Sequence, residues 1–200
     1  MAAQAPKLYL SESEYLAGEL VSAVKHELIG GVAYAIAGAS ANHVRIVGNL
    51  IAKLHAHLAN TPCEPFSSDL KVKVGLDFFY PDVLVDCHSG DGSAHYTETP
   101  TFIVEVLSKS TRKTDETLKR LAYQSLPSLQ EYVLIEQDFV DVEICRRSRQ
   151  WQPEHYFLGD AAYFSALDLH VPVEDIYARV VNEDMAEFLK LKAEAGQAAP

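Results

Sequence analysis

Asp82 and Glu105 are the residues around which chemistry could be organised. Asp82 follows Pro81 at the head of YPDVLVDC (80–87), and Glu105 sits inside the apolar run FIVEVL. A carboxylate in such a run is costly if it is buried, charged and unpaired, so a cation, a hydrogen-bond network or exposure must compensate it. If the two segments are neighbouring strands, both carboxylates project toward one site and can hold a hard cation such as Mg²⁺. If the second segment is an edge strand, Glu105 simply faces water. Beyond it comes SKSTRK (108–113), and then Asp115, Lys119 and Tyr123 recur every four residues. On a helix, Asp115 and Lys119 share a face as an ion pair and Tyr123 extends the stripe. Between positions 109 and 120 five basic residues meet two acidic ones. That is a local positive patch, or else a solvated helix face.

Other chemistries find little support. His55 and His57 are two apart and face different directions on a helix, whereas paired zinc ligands want a spacing of about three or four. His88 and His95 lie in a polar loop without further ligands. No GxSxG or GxxxxGK[ST] occurs, and Gly30, Gly31 and Gly38 do not form GxGxxG, which sets aside serine hydrolase, P-loop and dinucleotide-binding readings. Trp151 reads as a core aromatic in a late strand.

The elements that must position these residues follow from pattern. Ser11 with Glu14 fits a capping box opening a helix over 12–20. VKHELI, Gly30-Gly31 and VAYAIAG form a β-hairpin, because two glycines allow positive φ. Val44, Val47, Leu50, Ile51, Leu54 and Leu58 repeat at helical spacing, predicting an amphipathic helix over 40–60. Alternation over 70–74, then 80–87 and 101–107, predicts three strands; 89–100 is a loop. A helix over 111–125 turns Leu118, Leu121 and Ala122 inward. EYVLIE (131–136) and FVDVEICRR (139–147) pair as a hairpin, WQPEHYFLG adds a strand, and a short helix after Asp184 frays into AEAGQAAP. The order predicts an α/β (α+β) sheet covered by helices. Residues 1–182 read as a single domain, and 183–200 as a C-terminal helix and mobile tail.

The chain has 200 residues, 48% hydrophobic and 22% charged, with a formal net charge of −11. Those fractions are ordinary for a globular protein and exclude dominant disorder. The charge disfavours polyanion binding by the whole surface, so DNA would need a local patch or a metal. Three cysteines without a CxxC pair argue against a disulfide framework and suit a reducing compartment. MAAQAPKLYL lacks a signal-peptide core, and no stretch is apolar enough to span a membrane, so a cytoplasmic location is expected.

Taken in order, PDVLVDC, FIVEVLSKST, D-ETL-K-RLA-Y and LPSLQEYVLIE resemble the Uma-type restriction endonuclease family of the PD-(D/E)XK nuclease superfamily. The likeness extends upstream to KHELIGG and Asn42-His43 and downstream to FVDVEICRR, over roughly residues 10 to 180. The resemblance implies a restriction endonuclease-like mixed β-sheet flanked by helices, with an N-terminal β-hairpin addition. It implies an endonuclease hydrolysing DNA phosphodiester bonds with Mg²⁺ (or Mn²⁺). Asp82 and Glu105 match the metal ligands, and the Val106 carbonyl completes the set. The superfamily's lysine, two residues after the acid, is Leu107 here; the family carries it on the following helix, where Lys119 fits, with Lys109 and Lys71 as lesser candidates. Glu27 matches an acidic hairpin position, as a supporting ligand or a surface glutamate. His43 matches a position often histidine, hydrogen-bonding a carboxylate or phosphate, or serving structure alone. Tyr123 packs, its hydroxyl reaching a polar neighbour. The alternative is a catalytically silent nuclease-fold module that binds nucleic acid or a protein partner. Strand edges and the late hairpin make a homodimer the expected assembly, since two-fold pairing suits a duplex.

Overall fold

A computed structural model describes residues 9–88 and 92–197. In chain order the elements are α1 (Glu12–Glu19), β1 (His26–Ile29), β2 (Val32–Ala35), α2 (Ala41–Leu58), β3 (Glu64–Ser67), β4 (Lys71–Val74), β5 (Asp77–Phe79), β6 (Val83–Asp86), β7 (Tyr96–Thr97) and β8 (Pro100–Leu107). There follow α3 (Arg112–Thr114), a π-helical turn (Asp115–Lys119), α4 (Arg120–Gln124), β9 (Glu131–Glu136), β10 (Val142–Arg146), β11 (Pro153–Tyr156), β12 (Ala161–Phe164), β13 (Leu169–Pro172), α5 (Val173–Ile176) and α6 (Glu183–Gln197).

Local chemistry accounts for several boundaries. Ser11 and Glu14 form the reciprocal capping box that starts α1. Gly30 and Gly31 turn the first hairpin at φ +56° and +77°, where a Cβ would be strained. Ser40 caps α2 by accepting from the His43 N–H.

The fold is a mixed α+β architecture. Its main sheet runs β11-β10-β9-β8-β6-β3, with β8 and β9 parallel and the other pairs antiparallel. A second sheet, β2-β1-β5-β4-β7, carries the N-terminal hairpin. Side chains alternate across β8. Phe102, Val104 and Val106 join Ile46, Leu50 and Leu54 of α2 on one face, while Ile103 and Leu107 join Phe79, Tyr123 and Tyr132 on the other. Each fully buried leucine of α2 contributes roughly 1.5–3 kcal/mol.

Some expectations are corrected. Val44 is 59% exposed on the cleft side of α2, and Ile46 takes its place in the core, packing with Leu50 and Leu54 against β8. The strands β3, β5, β7, β12 and β13 have two to four residues each, too few for a periodic signal. Trp151 lies in a turn at φ +62° with the Arg147 guanidinium over its ring, not in a strand. The helix α6 continues through Gln197 rather than fraying from the alanine-rich end; residues 198–200 and 89–91 lie outside the described part. Cys63 and Cys87 form a disulfide, against the expected absence of such a bond. The antiparallel pairing of Glu64 with Asp86 sets the two cysteines opposite each other, a long-range consequence of register.

Cys145 is free and buried. Burial, aided by the S–H bond to Glu143, pushes its thiol up to about 12. At pH 8 a thiol reagent is therefore expected to find no reactive sulfur in the native chain and one after denaturation. Native labelling at the rate of free cysteine would contradict this packing.

Candidate functional site

The pairing of β6 with β8 decides the first question. Val83 pairs with Val104, so one step further Asp82 and Glu105 stand opposite each other on the same face of the sheet. The strand β8 is central, with neighbours on both sides, and Glu105 is 2% exposed. The edge-strand alternative is thereby removed. Asp82 Oδ2 accepts from the Val106 N–H at 2.7 Å and lies 3.1 Å from His43 Nε2. Since N–H and C=O of a strand residue leave on the same side, the Val106 carbonyl also points past the end of β6 toward Asp82.

Glu105 is met from the helix above it. Its Oε1 accepts from Lys119 Nζ and from the Tyr123 hydroxyl, both at 3.1 Å. The same ammonium lies 2.8 Å from Glu27 Oε1 and 3.2 Å from Asp115 Oδ1. Glu27 comes from the N-terminal hairpin and is fixed by accepting from the Tyr80 N–H. Thus six sequence-selected residues, Glu27, His43, Asp82, Glu105, Lys119 and Tyr123, converge from five parts of the chain. Lys71 does not join them: it is buried and donates to the Tyr80 hydroxyl. Lys109 is exposed on the loop after β8.

Of the three apolar residues expected inward on the helix over 111–125, Ala122 packs against the core while the two leucines turn outward. Asp115, Lys119 and Tyr123 are buried, whereas Leu118 and Leu121 are 39% and 71% exposed. The inverted face is stable because Glu105 and Glu27 supply charges and acceptors that offset the desolvation of Lys119. Asp115 to Lys119 forms a π turn. A widened turn of this kind often marks a functional site, and here it carries Asp115 and Lys119 into the cluster while Glu116 stays exposed.

Electrostatics follow from the count of charges. Burial, reinforced by Asp115, Asp82 and Glu27, holds the Glu105 carboxyl well above the ordinary range despite Lys119. Burial likewise raises Asp115. For Lys119 burial works against the charge, but Glu105, Glu27 and Asp115 together keep its ammonium well above the usual lysine value. One ammonium thus serves an excess of carboxylates.

That excess is what a cation would answer. Asp115 Oδ1 lies near Lys119 but off hydrogen-bond geometry, leaving a buried acceptor without a donor. The bonds to Asp82 converge on Oδ2 and those to Glu105 on Oε1, so each carboxylate has a second oxygen turned from these partners. Among the described residues no three His, Cys, Asp or Glu side chains form a ready cation cage. Two carboxylates and a carbonyl, with waters completing the shell, suit Mg²⁺ better than such a cage does.

Gln137 and Ser40 carried no signal in the sequence. Gln137 Nε2 donates to the Leu107 carbonyl at 2.8 Å, and its Oε1 accepts from the Ser40 hydroxyl, which in turn caps the helix bearing His43. The circuit ties the start of α2 to the end of β8 and sets where His43 meets Asp82. Gln137→Ala removes that tie and leaves the Leu107 carbonyl without its donor. It is expected to cost about 1–3 kcal/mol of stability, measured by urea unfolding. An unchanged midpoint would show that the circuit contributes nothing.

The cluster lies in a cleft of about 1310 Å³, whose lining includes Glu27, His43, Asp82, Glu105, Asp115 and Lys119. A crystal structure titled as a putative nuclease belonging to DUF820, from Anabaena variabilis, matches the fold. Its TM-score is 0.72 at 17% identity, with 86% of this chain and 99% of that one covered. Two uncharacterized Synechocystis sp. proteins are also similar. One, slr1290, is 33% identical over 178 residues, spanning 86% of this chain and 94% of the relative. The other, sll1609, is 38% identical over 149 residues, spanning 71% and 84%. The Uma2 family model, described as "Putative restriction endonuclease", matches residues 12–173. With most of its length inside that match, the chain belongs to the Uma2 family of nuclease-like proteins.

Proposed function

We propose that this chain is a Mg²⁺- or Mn²⁺-dependent endonuclease that hydrolyses phosphodiester bonds in DNA. The observation that carries the reading is the inward-turned stripe of Asp115, Lys119 and Tyr123 meeting Glu105 beside Asp82. A helix does not bury such a face for packing when Leu118 and Leu121 are at hand. Asp82 and Glu105 would hold the cation, with the Val106 carbonyl as third protein donor. A bound divalent cation polarises the phosphodiester and lowers the pKa of a water for in-line attack. Lys119 supplies positive charge beside the reacting phosphate, in place of the superfamily lysine whose position is Leu107. Glu27 and Tyr123 hold Lys119 and Glu105 in place, and His43 orients Asp82. The reading takes 1–182 as the nuclease-like domain and 183–200 as an appended helix and tail. It also takes the chain as a homodimer on its substrate and places it in the cytoplasm, where DNA is met, although the Cys63–Cys87 disulfide is a bond that a reducing compartment disfavours. Among the described residues no helix is long and apolar enough to cross a membrane.

The test is cleavage of supercoiled plasmid and of single-stranded DNA by purified protein in Mg²⁺, Mn²⁺ or EDTA. Metal-dependent cleavage supports the reading; folded protein that cuts in none of these conditions overturns it. A second reading, a catalytically silent nuclease-fold module, is favoured by one feature: Lys119 is already engaged by three carboxylates. A cation that binds the native fold must raise its melting temperature. No shift with Mn²⁺ would therefore favour the silent module.

A further inference from the structure

Around the charged cluster the lining of the cleft is of two kinds. After β8 it is hydroxylic: Ser108, Ser110, Thr111 and Thr114 face the cavity. Lys109 and Lys113 are interleaved with them and exposed, with no acidic partner among the described residues. The other three basic residues of that segment are spoken for, Arg112 by Glu136, Arg120 by Glu143 and Lys119 by its carboxylates. The N-terminal hairpin and the flank of α2 contribute an apolar lining instead. Val24, Tyr34 and Val44 all line the cleft and are 49%, 46% and 59% exposed. Tyr34 is the register partner of Glu27, so its ring shares a hairpin face with the carboxylate that holds Lys119.

This composition separates two forms of DNA. A duplex-binding protein draws its affinity from roughly six to ten phosphate contacts. Two free lysines beside the cleft, on a chain of net charge −11, fall well short of that. An unpaired strand can draw part of its affinity from elsewhere, because its splayed bases stack on aromatic side chains, each contributing about 5- to 150-fold in addition to the contacts with its phosphates. We propose that the cleft binds an unpaired DNA strand. Its phosphates follow the hydroxyls and lysines of 108–114, and its bases lie against Tyr34 and the neighbouring valines. The inference rests on the endonuclease reading and narrows its substrate to single-stranded segments.

The experiment is fluorescence anisotropy of a labelled oligothymidylate, and of a duplex of equal length, with the full chain in EDTA. Single strand is expected to bind at least about tenfold tighter than duplex. Its log–log salt slope should be shallow, about −1.4 for two lysine contacts. Tyr34→Ala should weaken single-strand binding about tenfold, and Tyr34→Phe, which keeps the ring, should restore it. Tyr34 lies on β2, an edge strand, so both variants should fold. Equal or tighter duplex binding, no binding of either form, or an unaffected Tyr34→Ala would overturn the proposal. So would a dimer that Tyr34→Ala dissociates without change in single-strand affinity, since a second copy would then be the occupant. A parallel Mg²⁺ cleavage assay keeps the two readings apart: duplex-only cutting refutes the strand preference alone, and single-strand binding without cutting refutes the endonuclease alone.

Discussion

Glu105→Gln is expected to reduce metal-dependent cleavage by roughly 10³-fold or more, the equivalent of several kcal/mol of transition-state stabilisation. The fold should tolerate the change. Glutamine has nearly the same volume, can still accept from the Tyr123 hydroxyl, and removes a charge that burial disfavours at this position. Lys119 is not stranded, because Glu27 and Asp115 remain beside it. The melting temperature should stay within about 3 °C of wild type, about 1 kcal/mol for a chain of this size. Plasmid nicking and calorimetry on the same preparation check both halves. Retention of wild-type cleavage would remove Glu105 from the chemistry, whatever the metal.

Lys119→Met is expected to give the largest loss of stability. It leaves Glu27, Glu105 and Asp115 facing one another, all largely buried, with no ammonium between them. Removing one partner of a buried ionic cluster costs about 3–5 kcal/mol, which should lower the melting temperature by about 10 °C. The pH dependence has a definite sign. Burial raises the Glu105 carboxyl in the fold, so the folded chain binds that proton more tightly than the unfolded chain, and lowering the pH favours the fold at this residue. The deficit relative to wild type should therefore be greatest at pH 8 and shrink toward pH 5. A variant that melts with wild type at pH 8 would show that the cluster needs no lysine. Cleavage should also fall, since the positive charge beside the phosphate is gone.

Much of the scaffold was legible because it obeys local rules. The capping box of Ser11 and Glu14, the two-glycine turn, the apolar period of α2 and the strands on either side of Asp82 and Glu105 are each set within a few residues. The family motifs, read in order, named the residues that converge in the cleft. Short strands such as β3 and β5 escaped because three or four residues carry no period. The orientation of the helix over 111–125 was misjudged for a different reason. Its apolar residues and its Asp115–Lys119–Tyr123 stripe compete for the inward face, and burial of leucine is the better local choice.

The sequence by itself determined the capped helices, the two-glycine turn and the longer strands that carry Asp82 and Glu105, because caps, turns and periodicity act over one or two helical turns, and the ordered family motifs named the residues of the cluster. Only the tertiary structure decided that Glu105 is buried in a central strand, that Glu27 from the hairpin reaches Lys119, that Gln137 ties α2 to β8, and that Cys63 meets Cys87. Each of these depends on register or packing between segments far apart in the chain. The cost of burying a lysine is offset only once its three carboxylates have been assembled around it.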